Sequence, residues 1–443
     1  MPAHSRVPVF APSAARLKAD WRQLCRTIGE RRAGTAGERR AAEYIADQFA
    51  QAGLTARIES FACRTLRQAT SSVAARGPGG WSDFASRALV GSPSLPGRGQ
   101  VQGDLVFLEY PETSHRLRRD SLRGKVAVVF GPLPTDLAMH RKLIAARPAA
   151  VLHADDRLPF GWPKSDGLFP YWVEIAGAVP TLSIAYAAAW RFRAEGFTRA
   201  RVSVRTVHAA GRSGNVVATL PGSDPAAPAI LFGAHHDTQA DNIGADDNAS
   251  GVVCLLELAR LLAGGPARRR TLHFVSFGAE EQLSVGSAAY VRRHRPGPDQ
   301  LGLMVNFDSI SSPLGHSHLF HSGQARLKEF FLGGLRRRGY DASPDETVTP
   351  FADHFPFTAC GIPAVWFYRS NVRWGQRWQH HTPQDALANV SAEPVVSLLR
   401  GLAPLVAELA AAHSWPFGRR MPAALAAQTA HFARTLFGLR PGR

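Results

Sequence analysis

Between Ala229 and Gly251 the chain reads AILFGAHHDTQADNIGADDNASG, and this stretch constrains the fold more than any other. The apolar run Ile230-Leu231-Phe232 predicts a short buried strand that stops abruptly at Gly-Ala-His235-His236-Asp237. A second acidic group, Asp246-Asp247-Asn248, follows, and Ser250-Gly251 then opens an apolar helical pattern. In open α/β sheets, polar groups at the carboxyl end of a strand sit on the rim where sites are built. Residues two apart on an extended segment share a face, so His235 and Asp237 point the same way and His236 the opposite way. A carboxylate beside an imidazole is the pairing that fixes the tautomer of a metal-binding histidine. Locally, an acidic loop after a core strand reads the same, so the decision rests on the remainder of the chain.

From Gly214 onward strands and helices alternate. Strands are predicted at 215–220, 230–234, 272–277, 303–307 and 364–368. Helices are predicted at 250–263, 287–293 and 324–338, with a long final helix at about 392–412 that contains Pro404. Alternation of this kind predicts a layered sheet with helices on both faces. Three further strand ends carry suitable groups: Glu280-Glu281 after Leu272–Phe277, Asp308 after Leu303–Phe307, and His380-His381 beyond Ala364–Tyr368. Imidazole with carboxylates is a borderline-hard donor set that suits zinc, with manganese or cobalt as alternatives.

Before Gly214 the pattern changes. Residues 36–52 read as an amphipathic helix closed by Gly53, and 54–61 as a strand. Gln68–Gly103 is rich in Ser, Gly and Pro and reads as a boundary. Residues 104–205 form a second α/β pattern, with strands at 126–130, 149–153 and 179–184. The expected division is 1–69 and 206–412 for one domain, 70–205 for an insertion, and 413–443 for a basic tail. Length supports more than one core, because single cores stop growing near 250–300 residues.

The ordered set "GAHHDT … GADDNASG … FGAEEQLSVGS … VNFDSI … HTPQDA" resembles peptidase family M28, zinc aminopeptidases with a co-catalytic metal pair. "RRAGTAGERRAAEYIADQFAQAGL" is similar to that family's N-terminal helix region, and "ADHFPFTACGIPA" to its late loop. The resemblance covers about 31–63 and 214–410, and residues 104–205 resemble a protease-associated (PA) domain. It implies an αβα sandwich around a mixed, mostly parallel sheet, of the zinc exopeptidase kind, with a smaller PA-like α/β insertion.

It also implies the roles. His235 binds one zinc and is oriented by Asp237; Asp247, three residues before the Ser-Gly, bridges the pair. Glu281 binds one ion, Asp308 the other, and His381 is the remaining histidine. Glu280 is the general base, and Asp353 and His354 touch substrate or brace the site. His236 and His380 adjoin the motifs and are assigned bracing or surface roles. Two Zn2+ per chain and peptide substrates follow as expectations. Ala386, in place of a common Thr, and Leu283-Ser284-Val285, in place of Gly-Leu-Leu, depart from the pattern without removing a ligand. Two other readings share the fold: a glutaminyl-cyclase-like transferase with one zinc, which the Ser250-Gly251 pair disfavours, and a non-catalytic scaffold, which the full ligand set disfavours.

A net charge of +17 raises nucleic-acid binding, but of 52 basic residues only five are Lys, and the Arg are scattered. No helix-turn-helix, zinc-finger or RNP pattern is present, so no nucleic-acid partner is expected. The four Cys form no Cys-x-x-Cys pair, which argues against a thiolate zinc site. No apolar run of membrane-spanning length and no secretory h-region stand out, so the chain as written is expected in the cytoplasm, or outside it if a leader is missing.

Overall fold

The computed structural model describes residues 10–97, 99–109, 115, 117–131, 136–371 and 377–439, so the reading of residues 1–9 and the last two Arg of the tail lie outside it. In chain order the strands are β1 (Thr55–Gly77), β2 (Gly80–Phe84), β3 (Ser86–Ala88), β4 (Gln100–Glu109), β5 (Val126–Phe130), β6 (Ala150–Ala154) and β7 (Thr181–Ile184). They continue as β8 (Arg199–Leu220), β9 (Ala229–His235), β10 (Leu272–Phe277), β11 (Leu301–Phe307), β12 (His316–Ser322), β13 (Ser343–Asp345) and β14 (Ala364–Ser370). Their order across the sheet is β13-β12-β14-β11-β9-β10-β8-β4-β5-β6-β7-β3, with β1 beside β8 and β2 beside β1.

At the centre β14, β11, β9 and β10 run parallel, flanked by antiparallel β8 and β12. Their near-continuous apolar sequences suit strands covered on both faces. Alternate residues diverge: Ile230, Phe232 and Ala234 join a core with Phe49, Val252 and Leu399, whereas Leu231, Val275 and Phe277 join Tyr290 and Phe357 on the other side. Phe232 and Phe274 stack with centroids 5.2 Å apart. Burying such a side chain contributes about 1.5–3 kcal/mol. This period-two division produces the αβα layering that the alternation of elements predicts.

The strand expected at 54–61 does not stop there. It continues past an irregularity at Leu66/Gln68 and pairs antiparallel with β8 from Thr55↔Thr219 to Arg76↔Arg199. One end of this ribbon belongs to the central sheet, through β8–β10, and the other to the β4–β7 half, through β8–β4. That second half packs around its own apolar clusters, which include Val128, Leu152, Phe192 and Val202 on one side and Val129, Met139 and Leu143 on the other.

Two expectations need correction at the C-terminus. The helix Ala392–Ala411 runs through Pro404 and is long and apolar enough to cross a membrane, with mean hydropathy 1.5, although no such run was expected. Here Leu398, Leu402 and Leu405 are buried in the core beside Val252 and Leu335. The stretch expected only as a basic tail, 413–443, contains a helix, Ala423–Phe437. Thr435 O accepts a bond from Trp172 Nε1 (2.5 Å), and Phe437 stacks on Phe355 with centroids 5.1 Å apart.

Candidate metal centre

The parallel strands bring the predicted groups to one rim. Phe277 lies in register with His235, and Asn306 with Gly233, so Glu280, His235 and Asp308 emerge side by side. His235 Nε2 lies 3.2 Å from Asp247 Oδ1, 3.8 Å from Asp308 Oδ2 and 3.9 Å from Glu280 Oε2. His381 Nε2 lies 3.2 Å from Glu281 Oε2 and 3.5 Å from Asp247 Oδ2. The two oxygens of Asp247 therefore face different histidines.

Local structure fixes these positions. Asp247 immediately precedes the helix Ala249–Ala263, whose N-cap is Asn248; its Oδ1 accepts from Gly251 N at 2.8 Å. Asp385 accepts from the backbone N–H of Asp246 (2.6 Å) and Asp247 (2.9 Å). Asp246 is engaged elsewhere, with Ser311 and Gln379. Asp237 accepts from Glu280 N (2.9 Å) and Glu281 N (3.1 Å), while its Oδ1 lies 3.5 Å from His235 Nδ1. The turn before Glu280 passes through Ala279 at φ 53°, with Leu283 and Ser284 also in the left-handed region. Backbone held in such sparsely populated regions clusters at functional sites.

Burial pushes the Glu280 carboxyl well above its usual value, and the charges of Asp353, Glu281 and Asp308 add to this. Glu281 is raised for the same first reason. Burial alone would also raise Asp247, yet Arg377 and then His235, His380 and His381 hold it well below the carboxylate range. His235 and His381 are held well above theirs against burial, the first by Asp237, Asp247 and Asp308, the second mainly by Glu281. A crowd of buried carboxylates demands cationic compensation. His235 Nε2, aimed at Asp247 and Asp308, is buried without a hydrogen-bond partner. An orphaned imidazole nitrogen facing carboxylates fits a metal donor, and the donor types fit zinc.

Other predicted residues surround this geometry. Asp353 and His354 are both fully buried. Burial pushes Asp353 up to about 7 and His354 down to about 3. The His354 ring sits 4.6 Å from Phe320 and 5.6 Å from Trp366, a bracing position in the core. His236 donates or accepts at Ser276 Oγ beneath the site. His380 is closer to the centre than expected: its Nδ1 lies 3.4 Å from Asp247 Oδ2 and meets Arg377 Nη2 at 2.6 Å.

Arg377 itself, 3.0 Å from Asp247 Oδ2, was not anticipated. Neither was Arg31, fully buried, whose guanidinium donates to the carbonyls of His236, Leu24, Gly29, Ile243 and Gly244. Glu38 accepts from Gly34 N, Ser213 Oγ and Ala279 N, and burial pushes it up to about 8. Both lie in the "RRAGTAGE" segment, whose Arg and Glu were the available signal. Arg31→Ala should leave several buried carbonyls unpaired, at about 1–3 kcal/mol for each unsatisfied group. Urea unfolding should show that loss; an unchanged midpoint would mean that Arg31 carries no structural load.

The rim opens into a cleft of about 600 Å³ whose walls come from both halves of the chain, among them Phe169, Val173, Glu280, Phe351, Trp366 and His381.

Residues 215–406 match the family model for Peptidase family M28. The chain is 26% identical over 393 residues to aminopeptidase YwaD of Bacillus subtilis, covering 84% of this chain and 79% of that protein. It is 26% identical to a probable lipoprotein aminopeptidase, LpqL, of Mycobacterium tuberculosis, over 76% of this chain and 69% of the other. The fold superposes on a zinc aminopeptidase from Bacillus subtilis with TM-score 0.73 at 22% identity, over 94% and 99% of the two chains. A lipoprotein among the relatives leaves the expected cytoplasmic placement without support. The matched stretch, residues 215–406, is the one that supplies His235, Asp247, Glu281, Asp308 and His381.

Proposed function

We propose that the chain is a zinc-dependent aminopeptidase that hydrolyses the N-terminal peptide bond of peptide substrates, with two zinc ions per chain. The observation that carries this is Asp247, whose two oxygens face two histidine–carboxylate groups, with Glu280 Oε2 3.9 Å from His235 Nε2. His235, Asp247 and Asp308 would hold one ion, and His381, Asp247 and Glu281 the other. When bound, such a pair supplies Lewis acidity toward a scissile carbonyl and lowers the pKa of water.

The chain's own groups then move the proton. Glu280, its Oε1 held by Ser284 Oγ at 3.1 Å, takes a proton from the attacking water and gives it to the leaving amine. Asp237 holds the Glu280 and Glu281 backbone and faces His235 Nδ1. The choice of amino over carboxy terminus is supported by relatives named aminopeptidase. The apolar wall of Phe169, Val173, Phe351 and Trp366 favours a bulky apolar side chain at the scissile bond. The half built on β4–β7, residues 70–205 with the ribbon ends, is read as a PA-like insertion that closes one side of this cleft.

Protein loaded with excess zinc and desalted should retain close to two zinc per chain by elemental analysis. It should hydrolyse leucine and phenylalanine p-nitroanilides in preference to charged ones, with activity abolished by chelator and restored by zinc. A firm content of one zinc, with activity on N-terminal glutaminyl peptides, would favour the cyclase-like transferase instead.

A further inference from the structure

We propose that the inserted half completes the metal centre: Asp166, on the loop between β6 and the helix Pro170–Ala176, is the positioning carboxylate of His381. This rests on the two-zinc reading above. The two histidines are not supported alike. His235 has Asp237 two residues along its own segment, 3.5 Å from Nδ1. His381 has no such neighbour, because Asp385, the next acid in its loop, is used by the Asp246 and Asp247 N–H groups. His381 Nδ1 is buried without a hydrogen-bond partner, and the carboxylate facing it is Asp166 Oδ1 at 3.7 Å. Beside it, Ser165 N donates to His381 O at 2.8 Å, which tethers the residue at its left-handed backbone position, φ 55°.

The loop is built to hold that carboxylate. Gly167 N donates to Asp166 Oδ1 (3.0 Å), and Arg157 Nη2 stands 3.7 Å from Oδ2. Arg157 is itself gripped by Asp155 through Nε (3.0 Å) and Nη2 (2.6 Å). Lys164, buried, reaches Asp155 at 3.1 Å and the Arg157 carbonyl at 2.8 Å, and its backbone N–H is fixed to Ser183 Oγ on β7. A buried lysine is costly unless paired, and here its pairing rigidifies the segment that ends at Asp166. Beyond Asp166, Phe169 stacks on Phe351, and Trp172 bonds to the C-terminal helix. Seating of the insertion and orientation of His381 are thus one geometric event. A carboxylate on the far nitrogen of a ligating histidine fixes its tautomer and ring plane, and its loss typically weakens metal binding 10–100-fold.

The test titrates zinc into apo wild type, Asp166→Asn and Asp166→Ser against a chromophoric chelator, with cobalt absorption spectra recorded in parallel. Wild type should take up two ions. Both variants should keep one affinity and lose about 10–100-fold in the other, with an altered cobalt spectrum and unchanged circular dichroism. Variants with both affinities and the spectrum of wild type overturn the proposal, and so does loss of cooperative unfolding in both, which would make Asp166 purely structural. A wild-type chain that binds a single ion instead defeats the two-zinc reading, and that result appears before any variant is compared.

Discussion

Glu280→Gln should lower kcat by about 10²–10⁴-fold while zinc content stays at the wild-type level. The substitution keeps size and the hydrogen bond from Ser284 Oγ, but the amide cannot accept the proton of the attacking water. Its neighbour separates catalysis from binding. Glu281 Oε2 faces His381 at 3.2 Å and also takes a bond from Gln239 Nε2 at 2.9 Å. Glu281→Gln should therefore lower metal content together with turnover. Both glutamates hang from backbone N–H groups held by Asp237, so neither change should move the other side chain. Steady-state kinetics and elemental analysis on the same preparations decide the matter. Full activity in Glu280→Gln would assign the proton transfer to another group.

How much of this was legible in the sequence depended on distance along the chain. The strands β9, β10, β11 and β14 were visible because each is a short apolar run ended by Gly or a polar cluster, and burial on both faces demands that composition. The β1–β8 ribbon was not. Over residues 62–72 and 203–213 it is rich in Ser, Thr, Arg and Ala, and much of it is exposed, so no period-two pattern marks it as a strand. Pairing between its two strands, rather than burial in a core, keeps it extended. The C-terminal helix, inside the stretch expected as a basic tail, was missed for a related reason: its partners, Trp172 and Phe355, are remote in sequence.

The site followed the same rule. His235, Asp237, Asp247, Glu280, Glu281 and Asp308 each sit next to the end of a readable element, and His381 was marked by the HTPQD motif in the loop beyond β14. Asp166 and Arg377 carry no such mark: one lies in a loop of the other half, and the other follows a segment with no periodic pattern. Their roles arise only from tertiary contact, Asp166 with His381 and Arg377 with Asp247. Arg31 and Glu38 were visible as a motif but not as a function, because most of the groups they serve, among them the carbonyls of His236 and Ile243 and the N–H of Ala279, are some two hundred residues away.

Asp247→Ala should have the largest effect of any single change, because one carboxylate serves both donor groups. Its Oδ1 lies 3.2 Å from His235 Nε2 and its Oδ2 3.5 Å from His381 Nε2. Removing it leaves each histidine with one other proposed carboxylate ligand, Asp308 for His235 and Glu281 for His381. Metal-ion stabilisation of developing charge is worth several kcal/mol, so turnover should fall about 10³-fold or more at 1.36 kcal/mol per decade. Zinc content should drop from two toward zero. The loop itself should persist, since Asp385 holds the residue 247 backbone N–H and Asn248 caps the following helix. Asp246→Ala provides the contrast. Asp246 Oδ1 accepts from Ser311 N (2.9 Å) and Oγ (2.7 Å), and Oδ2 from Gln379 Nε2 (3.1 Å), so its carboxylate ties loops together. Its removal should cost about 1–3 kcal/mol for each donor left unpaired while zinc is retained. Zinc analysis and thermal unfolding of the two variants therefore give opposite patterns. Should Asp246→Ala lose zinc and Asp247→Ala keep it, the shared ligand is Asp246 and the assignment of the centre is reversed.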